Sequence, residues 1–179
     1  LAASRQELAP WIDEKTRLVP ADRWVGGDLT LELGGERIRI QHAGPAHTPE
    51  DLVVWLERQK VLFTGDLVFR GRIPFVGTAD SSRWIEALER LLAFRPALIV
   101  PGHGPPSRTP EADLRLTRDY LAYLRQTMGE AAERMDSFDE AYARTDWSRF
   151  ENVPLFKAAN RINAYNTYLL MEQQGARRP

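Results

Sequence analysis

The sequence predicts an α/β fold in which a small β-rich region is followed by a block of helices. From residue 29, apolar and polar residues alternate at period two, which is typical of strands. Short apolar segments and a helical segment then alternate as far as residue 107, and helical spacing dominates from residue 110 onward. We therefore expect a helical lead-in and loop at residues 1–28, a β-rich half domain at 29–107, and C-terminal helices at 108–179 that pack on it.

The lead-in and the first strands follow from local composition. Residues 4–19 predict a polar helix that Pro10 interrupts, because proline lacks the amide hydrogen that a helix interior needs. Residues 29–33 and 37–40 flank the turn pair Gly34-Gly35 and predict a half-buried hairpin. Residues 51–57 and 61–64 are almost continuously apolar, which predicts central strands buried on both faces. A loop is expected over residues 65–79.

The helices follow from caps and apolar stripes. Ser81 or Ser82 can cap a helix whose apolar residues recur at helical spacing and which ends before Pro96. Residues 97–100 predict a short buried strand. Thr109-Pro110-Glu111 combines a cap, a proline at the first helical position and an early acid, so a long helix is expected from there. Residues 138–142 and 155–171 predict further helices.

Composition narrows the function classes. With 24 Lys and Arg against 25 Asp and Glu, the net charge of −1 provides no broad positive field for nucleic acid. No apolar run approaches the roughly 18 residues that span a bilayer. The absence of cysteine excludes a thiolate nucleophile or metal ligand and leaves periplasm and cytoplasm both open. A small-molecule substrate is therefore the expected partner.

Three polar residues lie at or beside the carboxyl ends of predicted strands: His47, Asp66 and His103. Ligand sites of open α/β sheets lie at that edge, and imidazole with carboxylate is a donor set that suits zinc. Glycines beside Asp66 and on both sides of His103 would let the backbone approach an ion closely. Each residue taken singly is more often a surface or hydrogen-bonding residue, so the prediction rests on their joint order.

The segments His47-Thr48-Pro49, 61–66 and 99–104 resemble, in order, the later metal motifs of the metallo-β-lactamase superfamily. That resemblance implies a sandwich of αβ and βα halves, of which this chain is similar to the second half. It implies that His47 completes a three-histidine first zinc site, that Asp66 bridges two ions, and that His103 binds the second. Residues 65–72 are most similar to the zinc hydrolases associated with sulfur oxidation and quinoprotein systems.

The resemblance also implies a function. A metal-bound hydroxide would attack an ester, thioester or amide-type bond, with Asp66 as both catalytic residue and metal ligand. Zinc is the implied cofactor, two ions in the intact protein, with iron or manganese as alternatives.

The family's His-x-His-x-Asp-His cluster is absent, because the only other histidine is His42, for which we expect a partly buried hydrogen-bonding role. Together with the start at Leu1, this suggests a chain without its first half. We therefore expect weak or no zinc binding and little hydrolase activity from the 179 residues alone. A half-sandwich leaves an apolar sheet face uncovered, so we expect a homodimer or pairing with the missing N-terminal half. The alternative is a metal-free lactamase-like domain that binds a ligand or a protein.

Overall fold

Five strands form a single sheet with the order β1-β2-β3-β4-β5 in the computed structural model, which describes residue 6 and residues 8–176. The strands are β1 (Leu29–Leu33), β2 (Glu36–His42), β3 (Leu52–Leu56), β4 (Val61–Phe69) and β5 (Leu98–His103). Neighbours are antiparallel from β1 to β4, whereas β4 and β5 are parallel. The described helices are α1 (Ser81–Ala93), α2 (Pro110–Glu133), α3 (Phe138–Arg144) and α4 (Phe156–Ala176). The predicted mixed α/β half-sandwich with C-terminal helices is confirmed.

One face of the sheet carries the core. Trp55, Leu62 and Ile99 lie side by side on β3, β4 and β5 and are buried. Helix α1, which crosses over between β4 and β5, covers this face with Trp84 and its other buried apolar residues. A helix is the usual connection between two parallel strands, and here it packs on the face of the sheet that carries the core.

The opposite face is apolar and uncovered. Two rows of paired residues cross all five strands on this face, and every member is aliphatic or aromatic: Leu29, Ile40, Val54, Phe63 and Val100, then Leu31, Ile38, Leu56, Val61 and Leu98. Phe63, on a central strand, is 38% exposed. The predicted burial of β3 and β4 on both faces is therefore wrong for the described residues, because helices pack on one side only.

Helices α2 and α4 are joined through a buried polar network. The Tyr120 hydroxyl donates to Asn160 Oδ1 at 2.9 Å and accepts from Asn163 Nδ2 at 3.0 Å. Asn163 also reaches the loop after β4, accepting from the Val76 amide at 2.9 Å and donating to the Pro74 carbonyl at 2.7 Å. Burial raises the pKa of Tyr120, so its hydroxyl stays protonated and remains a donor.

Three local expectations were wrong. The helix expected over 4–19 is helical only at its start, at residues 6 and 8, and ends in a short 3-10 turn at Ala9–Trp11; residues 4, 5 and 7 lie outside the described part. Its side chains are exposed, so no apolar face stabilises a longer helix. Asp80, not Ser81 or Ser82, caps α1 by accepting from two backbone amides. Strand β4 continues to Phe69, through residues 65–69 that were expected to be loop.

Candidate functional site

The parallel pairing of β4 with β5 brings Asp66 next to His103. The pairing shifts register on both sides of Gly65, whose φ of +52° is a conformation that side chains rarely adopt. Asp66 therefore lies within β4, at a bulge, and His103 ends β5. His103 Nε2 lies 3.5 Å from Asp66 Oδ1, and both side chains are about two-fifths exposed, at 43% and 41%. This pair of donors faces solvent at the edge that the sequence predicted.

Gly102 makes the close approach of the two strands possible. A Cβ atom at this position would lie 2.0 Å from Asp66 Oδ1 and 2.7 Å from the Gly65 carbonyl carbon. Gly104, with a φ of +94°, similarly lies against Arg70, where a Cβ atom would come within 2.9 Å of the carbonyl oxygen. Gly102 and Gly104 therefore permit close contact between chain segments, while the predicted close approach of the backbone to a bound ion stays a prediction.

His47 lies in the loop between β2 and β3 and is held by aromatic rings. Its imidazole meets Trp84 edge-on, with ring centroids 5.1 Å apart, and lies 5.8 Å from Phe69. Trp84 is itself fixed, because its indole nitrogen donates to the Leu67 carbonyl at 3.1 Å. His47 Nδ1 is buried and has no hydrogen-bond partner among the described residues. The ring orientation therefore depends on packing.

Phe69 connects the two histidines. It is buried at the end of β4, three residues after Asp66, and its ring stacks on His103 with centroids 4.7 Å apart and planes 25° apart. Because the same ring also contacts His47, both imidazoles lie against one aromatic wall. The structure thus places Asp66 and His103 in direct proximity and His47 beside them across Phe69.

The donor chemistry of these residues suits a zinc ion, since two imidazoles and a carboxylate are typical ligands and Gly102 keeps the carboxylate next to His103. In the part of the chain that the structure describes, no three His, Asp or Glu side chains are grouped tightly enough to hold a metal ion by themselves. The residues therefore fit part of a metal site, with Asp66 and His103 as the adjacent pair.

His42 differs from its prediction in one respect. It is exposed instead of partly buried, although its Nε2 lies 3.1 Å from the Pro49 carbonyl oxygen, as expected of a hydrogen-bonding residue. The contact ties the end of β2 to the loop that carries His47. Sequence reasoning missed Phe69 and Trp84, because a buried aromatic at strand or helix spacing is indistinguishable from ordinary core.

A cavity of about 870 Å³ lies away from this site. It is lined by the segment before β5 and by the start of α2, including Arg95, Arg108 and Arg115, and by none of the three predicted ligands. Volume alone therefore does not locate the chemistry in this chain. No helix in the described residues has the length and apolar character needed to cross a membrane.

The fold and the order of the candidate residues along it agree with one known family. The chain belongs to the metallo-beta-lactamase superfamily, whose family model matches residues 5–103 and so includes His47, Asp66 and His103. Members of this superfamily are hydrolases, and they usually bind zinc.

Individual relatives agree with this membership. A linear primary-alkylsulfatase of a Pseudomonas strain is 28% identical over 118 residues, which cover 61% of this chain and 22% of the relative. A metallo-beta-lactamase structure from Pontibacter korlensis is 29% identical, with a TM-score of 0.52, and the match covers 67% of this chain and 55% of the lactamase. A sec-alkylsulfatase structure from Pseudomonas shares the fold at 17% identity, with a TM-score of 0.65 and coverage of 87% and 28%.

These matches show two facts about extent. The chain spans about half the length of the lactamase and about a quarter of either sulfatase. The sec-alkylsulfatase match covers too much of this chain to end at residue 107, so it extends into the helices that follow the sheet.

Proposed function

We propose that this chain is the second half of a zinc-dependent hydrolase that cleaves an ester, thioester or amide-type bond. The observation that carries the proposal is the contact between Asp66 and His103, 3.5 Å apart at the carboxyl edge of two parallel strands. The exposed side chains of His103 and Asp66 at this edge can bind an external ion. Because residue 102 is a glycine, it contributes no side chain that would come between them.

Zinc bound in such a site lowers the pKa of a water molecule and polarises the bond that is attacked. In our proposal Asp66, His103 and His47 would hold zinc together with donors from the rest of the protein. Phe69 keeps both imidazoles against one wall, so neither ring has to be ordered when metal binds.

The missing donors belong, in this proposal, to a first half of the sandwich that packs on the uncovered sheet face. Two rows of apolar residues across five strands form a surface of the kind that another sheet covers in a β-sandwich. The 179-residue chain alone would then bind zinc weakly and have little activity.

For the substrate, an ester is favoured over a lactam. The match to the linear primary-alkylsulfatase extends over 118 residues at 28% identity. We therefore propose an ester of sulfuric or carboxylic acid on an aliphatic chain. The similar Pontibacter lactamase makes a β-lactam the second substrate class to assay.

The experiment uses the protein expressed from its whole reading frame. Octyl sulfate, octyl acetate, octanoyl thioester and a chromogenic β-lactam are tested with zinc, after chelation, and after zinc is restored. We expect hydrolysis of at least one ester, loss on chelation and recovery with zinc. Asp66→Asn should abolish activity, and Asp139→Asn, which changes an exposed carboxylate on α3, should not.

The alternative is a metal-free domain that binds a ligand or a protein. In that case the whole-frame protein would hold no zinc after dialysis, no substrate would be hydrolysed, and Asp66→Asn would be without effect on any of these measurements. Reading the coding sequence upstream for His-x-His-x-Asp-His separates the two proposals most cheaply, since that cluster supplies the remaining zinc donors.

A further inference from the structure

Arg72 is a half-buried arginine, beside the candidate site, that has no acceptor. It lies in the loop between β4 and α1, and its Nε atom is buried without a hydrogen-bond partner among the described residues. Arginine is charged at any physiological pH, and a buried donor without an acceptor costs free energy. Such a group needs an explanation, and a ligand is one of the common explanations.

The neighbouring arginine of the same loop shows the contrast. Arg70 donates from one guanidinium nitrogen to the carbonyl oxygens of Pro105 and Pro106, at 3.2 and 2.8 Å, and lies 3.7 Å from Asp113. Its hydrogen-bonding capacity is used within the fold. Arg72, two residues later, makes no such contact in the described part of the chain, so its guanidinium is not neutralised within the fold.

The position of Arg72 points to the site. Its guanidinium carbon lies 5.9 Å from the centre of the Phe69 ring, and that ring stacks on His103 and contacts His47. The cation therefore shares the aromatic wall that supports both candidate ligands. Phe69 is thus the residue that connects Arg72 with the Asp66–His103 pair.

The backbone around Arg72 is held on both sides. The Arg70 amide donates to the His103 carbonyl at 3.0 Å, and the Ile73 amide donates to the Pro154 carbonyl at 2.9 Å. Asn163 then fixes Pro74 and Val76 through its side chain. Because the loop is anchored before a ligand arrives, little ordering free energy is lost when the guanidinium binds one.

We propose that Arg72 binds a sulfate or carboxylate oxyanion of the substrate, which makes it a specificity-determining residue for anionic esters. This inference rests on the proposed hydrolase function and names the substrate class of the same site. A guanidinium suits such a group because its paired N–H donors match two oxygens of a carboxylate or sulfate.

The test compares charged and neutral probes on the zinc-loaded, whole-frame protein. Arg72→Met keeps an aliphatic side chain against Phe69 and removes the charge, while Arg72→Lys keeps the charge and removes the planar fork. Arg161→Met is the matched control, since Arg161 also lies over a phenyl ring, that of Phe138 on α3, at 5.2 Å. Kinetics are measured with octyl sulfate, mono-octyl succinate and octyl acetate, and 1-octanesulfonate binding is measured by calorimetry.

For Arg72→Met we expect KM for at least one anionic ester, and Kd for octanesulfonate, to rise about ten- to hundredfold, with kcat changed much less. Octyl acetate kinetics and the Arg161→Met protein should be unchanged. A rise in KM for octyl sulfate alone identifies sulfate as the oxyanion, and a rise for mono-octyl succinate alone identifies carboxylate.

Equal losses with charged and neutral esters, or no change in octanesulfonate affinity, would overturn the inference and leave the hydrolase proposal standing. Arg72-dependent binding of octanesulfonate without hydrolysis of any ester would support this inference and contradict the hydrolase proposal. If Arg72→Met does not fold, Arg72→Lys decides: octanesulfonate affinity equal to that of the unmodified protein contradicts a role for the fork, and a several-fold loss supports it.

Discussion

At the residue scale, the site depends on how closely two backbones approach each other. Gly102 lies so near Asp66 that a single added methyl group would overlap its carboxylate and the preceding peptide. Strands β4 and β5 are paired on either side of the contact, at Gly65 with Pro101 and at Phe69 with His103, so the methyl group could be admitted only if the two strands moved apart. The geometry of the donor pair is therefore set by a residue that carries no functional group.

Gly102→Ala should separate Asp66 from His103. We expect a loss of about 1–3 kcal/mol in the free energy of unfolding, because backbone atoms must move to admit the Cβ atom. In the whole-frame protein, zinc affinity should fall at least tenfold. Denaturant unfolding and competition with a chelator measure these two effects.

The control is Gly175→Ala on α4, where nothing lies within 4 Å of the added Cβ atom. Alanine is a better helix former than glycine, so the free energy of unfolding of Gly175→Ala should be unchanged or up to about 1 kcal/mol higher. Full stability and unchanged zinc affinity in Gly102→Ala would show that the close approach is irrelevant to the site.

The sequence singled out three candidate site residues, whose function stays a prediction, and it said less about their surroundings. His47, Asp66 and His103 stood out because polar side chains followed apolar strands, and the structure places Asp66 and His103 in contact. Phe69 and Arg72 lie in the segment 65–72 that carries the family resemblance, but no role was predicted for them, because their contacts cross elements and no local pattern encodes such contacts.

At the element scale, the loop after β4 is held by a helix nearly ninety residues away along the chain, through Asn163. On the same helix, α4, Asn160 and Asn163 make interhelical hydrogen bonds with Tyr120 on α2. Helical periodicity could not predict that Asn163 also binds the loop after β4, because its partners in that loop are backbone atoms.

Asn163→Ala should loosen this loop. The substitution leaves the Val76 amide, the Pro74 carbonyl and part of the Tyr120 hydroxyl without partners in a buried place, so we expect a loss of about 2–4 kcal/mol in the free energy of unfolding. Hydrogen exchange at the Val76 amide should become faster. Thermal and denaturant unfolding measure the loss.

The matched control is Asn166→Ala, on the same helix at a half-buried position. It should change stability by less than about 1 kcal/mol. If both variants were equally stable, or if the Val76 amide exchanged at its original rate in Asn163→Ala, the Asn163 side chain would not hold the loop after β4 in place.

Local sequence patterns predicted some boundaries of strands and helices and not others. The α2 start at Pro110 was predicted, since a first-position proline acts through its own ring. The extent of β4 was not, because Gly65 and Asp66 are typical turn residues and only pairing with β5 draws them into the strand.

At the scale of the whole molecule, the uncovered sheet face dominates the behaviour of the isolated chain. The face is apolar along both of its rows, and contiguous exposed apolar surface of this kind promotes association. The sequence predicted this face through the family resemblance, while the continuous apolar strands alone predicted burial on both sides.

We expect the 179-residue chain to self-associate, with a sedimentation coefficient that rises with concentration. Phe63→Asp, at the centre of the face, should shift the chain toward the monomer because it places a charge among apolar side chains. The control Phe75→Asp replaces a similarly exposed phenylalanine in the loop after β4, and it should leave the self-association unchanged. A chain that sediments as a 20.4 kDa monomer at every concentration would contradict this.

The central claim is that Asp66 and His103 hold metal in a protein that also contains the first half of the sandwich. Its most direct test is the zinc content, after exhaustive dialysis, of the whole-frame protein, its Asp66→Asn variant and the 179-residue chain. We predict a pair of tightly held ions in the first, a clear loss in the second, and little zinc in the third. Equal zinc in the whole-frame protein and its Asp66→Asn variant would contradict the claim.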